Sequence, residues 1–233
     1  IADSTMESKR LYLSSVFSFL YKHGKIKNNP MALIEPVSCC QQIKTPLSNE
    51  EIEQIRVACG NNKRNRAIVD FFVDTGVRVS ELCGISIHDV DFNNRRCKVL
   101  GKGNKERYVY FSGNTSVRLK EYLYQRKDLN WSGNGIVCDS TTPLFASNNK
   151  GTARMHRSGI HTIIKKLGKL SGVIRLHCHL FRATYATNLA KLGVDINVIA
   201  RALGHANLNT ISRYILLSES QVDSAIRNVG FAA

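Results

Sequence analysis

The stretch from Leu176 to Tyr214 constrains the fold most, because glycines divide it into three short helical segments that each carry an apolar side. His179-Leu180-Phe181-Arg182 opens the first segment, Leu203-Gly204-His205 closes the second, and Tyr214 lies on the third. On a wheel of 3.6 residues per turn, Arg182, Ala183, Ala186 and Ala190 fall on the side of His179, while Phe181, Tyr185, Leu189 and Leu192 gather opposite. That pattern predicts a core-facing apolar stripe and an open face where an imidazole and a guanidinium stand over small methyl groups. Gly193 ends this helix, and Asp195 is placed to cap the next, with Ile196, Ile199, Ala200 and Leu203 inward. Gly204 stops that helix and leaves His205 just past its C-terminus. Asn207 caps a third helix with Leu208, Ile211 and Ile215 inward and Tyr214 at the rim. A rim tyrosine taken alone is ordinary amphipathic packing.

Charge narrows the partner. Lys and Arg number 33 against 18 acidic residues, a formal net charge of +15 and a pI of about 9.7. This excess is spread through folded segments, which suits a broad surface for a polyanion, nucleic acid before an anionic membrane. No apolar run reaches the roughly 18 residues of a membrane span, and nothing at the start resembles a signal peptide. The reading is therefore cytoplasmic and nucleoid-associated. Seven cysteines, at positions 39, 40, 59, 83, 97, 138 and 178, lack CxxC spacing and suit reduced thiols. His177-Cys178-His179 invites a zinc reading, but adjacent residues at a helix start diverge and no second ligand cluster follows, so no metal or cofactor is expected.

Taken in order, residues 7–24 read as a helix, Asn29-Pro30 breaks the chain, and Met31 to Ile34 form a short turn. Residues 1–37 are too few to fold alone and read as the end of a helical domain, with 38–46 as a linker. The main domain spans 47–233. Ser48 and Glu51 form a capping box, with Ile52, Ile55 and Ala58 at helical spacing behind it. Arg66 to Asp74 reads as a buried helix, and Thr75 to Leu82 as a turn into another, with Arg78 near its start and Glu81 placed for an ion pair. Arg96–Leu100 and Arg107–Phe111 read as strands of a hairpin whose polar turn is Gly101 to Glu106 and carries Lys102. A helix near 116–126, an irregular 130–142 loop, a short strand at 144–146 and a helix near 160–170 follow. The fold class is mainly α with a small antiparallel sheet.

Thr75-Gly-Val-Arg78-Val-Ser-Glu81-Leu82, Gly101-Lys102-Gly-Asn-Lys-Glu-Arg107, His179-x-x-Arg182, Leu203-Gly-His205 and Tyr214 occur in the order and spacing of tyrosine recombinases. The chain resembles these phage-integrase and Xer-like enzymes over 47–230, and 1–37 resembles the end of their core-binding domain. Each motif alone is weak, but together they are specific. The resemblance implies that Tyr214 attacks a DNA phosphodiester to give a 3′-phosphotyrosyl link. It implies that Arg78 and Arg182 clamp the non-bridging oxygens, that Lys102 protonates the leaving 5′-oxygen, that His179 and His205 assist, and that Glu81 orients Arg78. Ala183 and Tyr110 depart from common family residues, where many relatives have histidine and proline; both bear on subfamily, not on the reaction.

Elementary chemistry agrees with those roles. A phosphodiester transition state carries extra charge on its equatorial oxygens, which planar guanidinium forks match bidentately. An alkoxide leaves poorly near neutral pH, so a proton donor beside it accelerates cleavage. A covalent protein–DNA link conserves the energy of the cut bond for rejoining. Two other readings compete: a type IB topoisomerase, with related chemistry but no pairing of two DNAs, and a non-catalytic basic DNA-binding factor. The second must treat every motif residue as coincidental. Residues 218–229 read as a short terminal helix with Val222, Ala225, Ile226 and Val229 on one side. The resemblance implies that this segment passes to a neighbouring subunit, so the expected partners are double-stranded recombination sites and three further copies in a homo-tetramer.

Overall fold

The structure is a computed structural model, and it describes residues 3–37, 45–101, 103–132, 135–147 and 153–204. The chain divides into two compact units, Ile1–Ile43 and Lys44–Ala233. In the first, helix α1 (Asp3–Lys22) starts earlier than its apolar pattern alone indicates. A bidentate Arg10–Glu7 pair along its length and a hydrogen bond from the Val37 amide to Glu7 bring the end of this unit back onto α1. Met31 is buried in the turn that follows Pro30.

The second unit begins with α2 (Asn49–Ala58), whose Ser48 capping box is present in both directions. Helix α3 (Lys63–Thr75) is buried through Ala67, Ile68, Val69, Phe71 and Phe72, and ends at Gly76 in the left-handed conformation. Gly76 satisfies two demands at once. Its φ of +56° favours glycine, and a Cβ there would meet the Tyr185 ring at 2.7 Å. Helix α4 (Val79–Gly84) follows, with Arg78 at its N-cap.

A three-stranded antiparallel sheet comes next, ordered β1 (Val90–Asp91), β2 (Arg96–Leu100), β3 (Glu106–Tyr110). The pairs Cys97↔Val109 and Val99↔Arg107 fix the face turned to the core, where Cys97, Val99 and Val109 are buried. The short β1 strand lacks the length that sequence periodicity needs to reveal it.

Helix α5 (Gly113–Tyr124) is capped by Ser112, and α6 (Arg157–Leu170) by His156. Between them, residues 130–142 are not irregular throughout: β4 (Asn130–Ser132) and β5 (Gly135–Val137) pair as a hairpin on which Trp131 stacks with Tyr124 at 3.9 Å. The strand expected at 144–146 is absent as such. Leu144 and Phe145 are buried, but the backbone makes only single bridges, Ser86↔Pro143 and Ala146↔Arg154. Arg154 donates to the carbonyls of Cys83, Gly84 and Ile85 at the end of α4, and Ile85 also accepts from the Leu144 N–H.

Helices α7 (Cys178–Lys191) and α8 (Ile196–Leu203) complete the described part. Phe181 stacks on Phe72 with centroids 5.5 Å apart, joining α7 to α3. The expected open alanine face of α7 is a correction. Ala183, Ala186 and Ala190 are buried, and the last two pack with Ile199, Ala200 and Leu203 of α8. Small side chains there let a second helix approach closely, whereas Leu192 of the expected inward stripe is 79% exposed. No described helix is long and apolar enough to cross a membrane.

Candidate active site at the end of helix α8

The predicted site residues divide between described and undescribed parts of the chain. Arg78, Glu81, His179 and Arg182 are described; Lys102, His205 and Tyr214 lie outside the described residues. The C-terminal segment expected to dock in trans lies outside them as well.

Arg78 caps α4, and its backbone N–H donates to Glu81 Oε2 at 2.7 Å while its Nη1 donates to Oε1 at 2.9 Å. The spacing of three residues brings the carboxylate back to the first turn of the helix. Arg78 Nη2 also donates to the Gly204 carbonyl at 3.3 Å. The side chain keeps a third of its surface exposed, whereas Glu81 keeps 2%.

A buried carboxylate must be compensated, and sequence reasoning missed the group that does most of this. Arg107 on β3 grips Glu81 with both arms, Nη1 to Oε1 at 2.8 Å and Nη2 to Oε2 at 2.9 Å, while its Nε donates to the Ala202 carbonyl. Burial pushes the Glu81 carboxyl up, but the hydrogen bonds from Arg107 and Arg78 outweigh it and hold the group below the usual glutamate range. The missed signal was available in the alternation of β3. Arg107, Val109 and Phe111 share one face, and a charge at the core-facing register of a strand calls for a buried partner.

Arg182 is 1% exposed. Its Nη1 donates to the Gly76 carbonyl at 2.8 Å and its Nη2 to the Leu203 carbonyl, so it bridges the C-terminal ends of α3 and α8. Helix C-termini carry partial negative charge, which suits a buried cation. Its burial follows from the same alanine packing that brings α8 over α7.

His179 lies in the first turn of α7, exposed, one turn before Arg182. Its neighbours go elsewhere: His177 Nδ1 lies 2.8 Å from the Arg175 carbonyl, and the buried Cys178 Sγ lies 3.5 Å from His161 Nδ1. Burial raises the Cys178 thiol to about 11, which keeps it protonated. Among the described residues no three His, Cys, Asp or Glu side chains form a metal-sized cluster.

Three arginines distant in sequence thus meet the last carbonyls of α8, Arg107 at Ala202, Arg182 at Leu203 and Arg78 at Gly204. Gly204 permits this crowding. It ends α8 with φ +63°, and a Cβ there would sit 3.2 Å from Arg107 Nη1. The next residue in the chain is His205. A cationic corner at the end of a helix, built from planar forks, is suited to hold a phosphate with charge spread over several oxygens.

Known proteins resemble this chain over most of its length. The model of the phage integrase family matches residues 46–221. Tyrosine recombinase XerC of Thermodesulfovibrio yellowstonii is 35% identical over 216 residues, covering 91% of this chain and 70% of that protein. Tyrosine recombinase XerC of Bacillus pumilus is 30% identical over 223 residues, covering 94% and 72%. Among solved structures, XerA recombinase superposes with a TM-score of 0.67 at 29% identity, covering 95% of this chain and 75% of that one. The XerH site-specific recombinase, in a post-cleavage complex with its difH substrate, gives 0.74 at 23% identity, covering 97% and 67%, a likeness of fold.

Proposed function

Since the chain belongs to the phage integrase family and is a site-specific DNA recombinase of the tyrosine type, we propose that it cuts and rejoins DNA through a 3′-phosphotyrosyl link at Tyr214, integrating or excising a mobile element or resolving DNA as Xer enzymes do. The observation that carries this reading is the convergence of Arg78 and Arg182 on the Leu203 and Gly204 carbonyls, directly before His205. Arg78 and Arg182 clamp the non-bridging oxygens of the scissile phosphate, where charge grows in the transition state. The Tyr214 oxygen forms a bond to phosphorus while the bond to the 5′-oxygen breaks, and Lys102 delivers the proton that oxygen needs. His179 and His205 assist proton transfer and phosphate binding. Rejoining reverses these steps with a 5′-hydroxyl from the partner duplex.

Residues 1–37 belong in this reading to a core-binding domain and 47–233 to the catalytic domain, with residues 218–229 docking on a neighbour to build a tetramer on two duplexes. A head-to-tail contact of that kind closes by rotation. Tyr214→Phe tests the central step: the ring still packs, so DNA affinity should persist while the covalent adduct on denaturing gels disappears. Full adduct from the variant would sink the assignment of Tyr214.

A further inference from the structure

Arg107 is absent from the residues that sequence motifs assign to the chemistry, yet it makes more polar contacts in the site than Arg78 does with its side chain. Glu81 carries one negative charge between two guanidiniums, so the three groups together are left with one positive charge. Glu81 is 2% exposed and the Arg107 side chain 13%, so their fork is shielded from water, while Arg78 keeps a third of its surface open. The exposed member of the trio is therefore the one free to meet an anion. Remove Arg107, and the whole charge of Glu81 turns on Arg78 at contact distance. A phosphate would then meet a salt bridge instead of a cation.

The same side chain fixes position. Its Nε bond to the Ala202 carbonyl and its contact with Gly204 attach strand β3 to the corner where α8 ends. Gly101 lies beside the pair: a Cβ there would be 3.6 Å from Glu81 Oε1 and 3.9 Å from Arg107 Nη1, ordinary contact distances. The fork also fixes both Glu81 oxygens, and through them the rotamer that Arg78 adopts.

We propose that Arg107 is a positioning residue of the recombination reaction: it neutralises Glu81 so that Arg78 stays cationic toward the scissile phosphate. The inference rests on the clamp role given to Arg78 above. Arg107 itself need not touch DNA.

The test uses the full chain and single-turnover cleavage of a nicked suicide duplex carrying the site recovered by sequencing covalently trapped DNA. The rate constant reports the competent molecules, and the amplitude reports how many there are. Arg107→Gln should lower the rate constant by roughly 10²-fold, the scale on which small misplacements act, with amplitude and duplex affinity largely kept. Arg107→Lys should fall between, because it keeps the charge and loses the fork. In a Glu81→Gln background, Arg107→Gln should cost little further, since no carboxylate remains to neutralise Arg78. A lower amplitude with an unchanged rate constant would overturn the proposal, leaving Arg107 a structural residue. So would an equally large loss from Arg107→Gln in the Glu81→Gln background. Wild-type cleavage by Arg78→Ala would instead overturn the clamp itself, which separates failure of the premise from failure of the inference.

Discussion

Arg78 and Arg182 reach the same corner of the molecule and are held there in opposite ways. Arg78 stands at the start of a short helix, a third exposed, its charge opposed by a carboxylate that Arg107 largely occupies. Arg182 is 1% exposed and donates to the carbonyls of Gly76 and Leu203. The difference shows that a guanidinium can be oriented by a formal charge at a surface or by backbone dipoles in a core. The second arrangement ties the residue more closely to the stability of the fold.

The largest effect should separate the two. Arg182→Ala leaves two carbonyls facing a cavity, each unsatisfied group costing about 1–3 kcal/mol, so we expect a stability loss of roughly 2–5 kcal/mol together with loss of the covalent adduct. Arg78→Ala leaves Glu81 paired with Arg107 and should abolish the adduct while costing about 1 kcal/mol or less. Urea unfolding followed by circular dichroism distinguishes them, and equal destabilisation by the two variants would erase the contrast.

A smaller effect sharpens the carboxylate side of the comparison. The folded-state pKa of Glu81 lies below the ordinary glutamate range, because the hydrogen bonds from Arg107 and Arg78 outweigh the effect of burial. Its ionised form therefore stabilises the fold fully above the unfolded-state value, and that contribution disappears as pH falls through the folded value. The difference in unfolding free energy between the wild type and Glu81→Gln should shrink on acidification below about pH 4.3, the ordinary glutamate range. A difference that stays constant from neutral to strongly acid pH would remove the electrostatic part of the argument.

The smallest effect serves as the control. Arg175 pairs with Glu51 across the surface between α2 and the approach to α7, with 42% of its side chain exposed. Exposed pairs contribute about 0.2–1 kcal/mol, so Arg175→Ala should lower the melting temperature slightly and leave the cleavage rate unchanged. A large rate loss would mean that charge anywhere on this basic surface matters as much as charge at the end of α8.

How much of this was legible in the sequence differs by element. The Ser48–Glu51 box, the Asp195 cap and the glycine stops at Gly193 and Gly204 could be read directly, because caps and left-handed turns depend on a few adjacent residues. The β2–β3 hairpin was legible for the same reason. The α7 wheel assigned the wrong environment to the alanine side and to Leu192, since a periodicity cannot say whether another helix will cover a face. The β4–β5 hairpin and the short β1 strand were too brief for a periodic signal.

The sequence by itself determined the class of the fold and the position of most described helices, because local hydrogen bonding and capping are written in neighbouring positions. Only the tertiary structure decided that α8 closes over the alanines of α7, burying Arg182 beneath the Leu203 carbonyl. It also decided that Arg107, 26 residues beyond Glu81 in the chain, shares that carboxylate with Arg78. Long-range pairing depends on how the layers stack, and stacking is set by the fit of side-chain shapes that no local pattern contains.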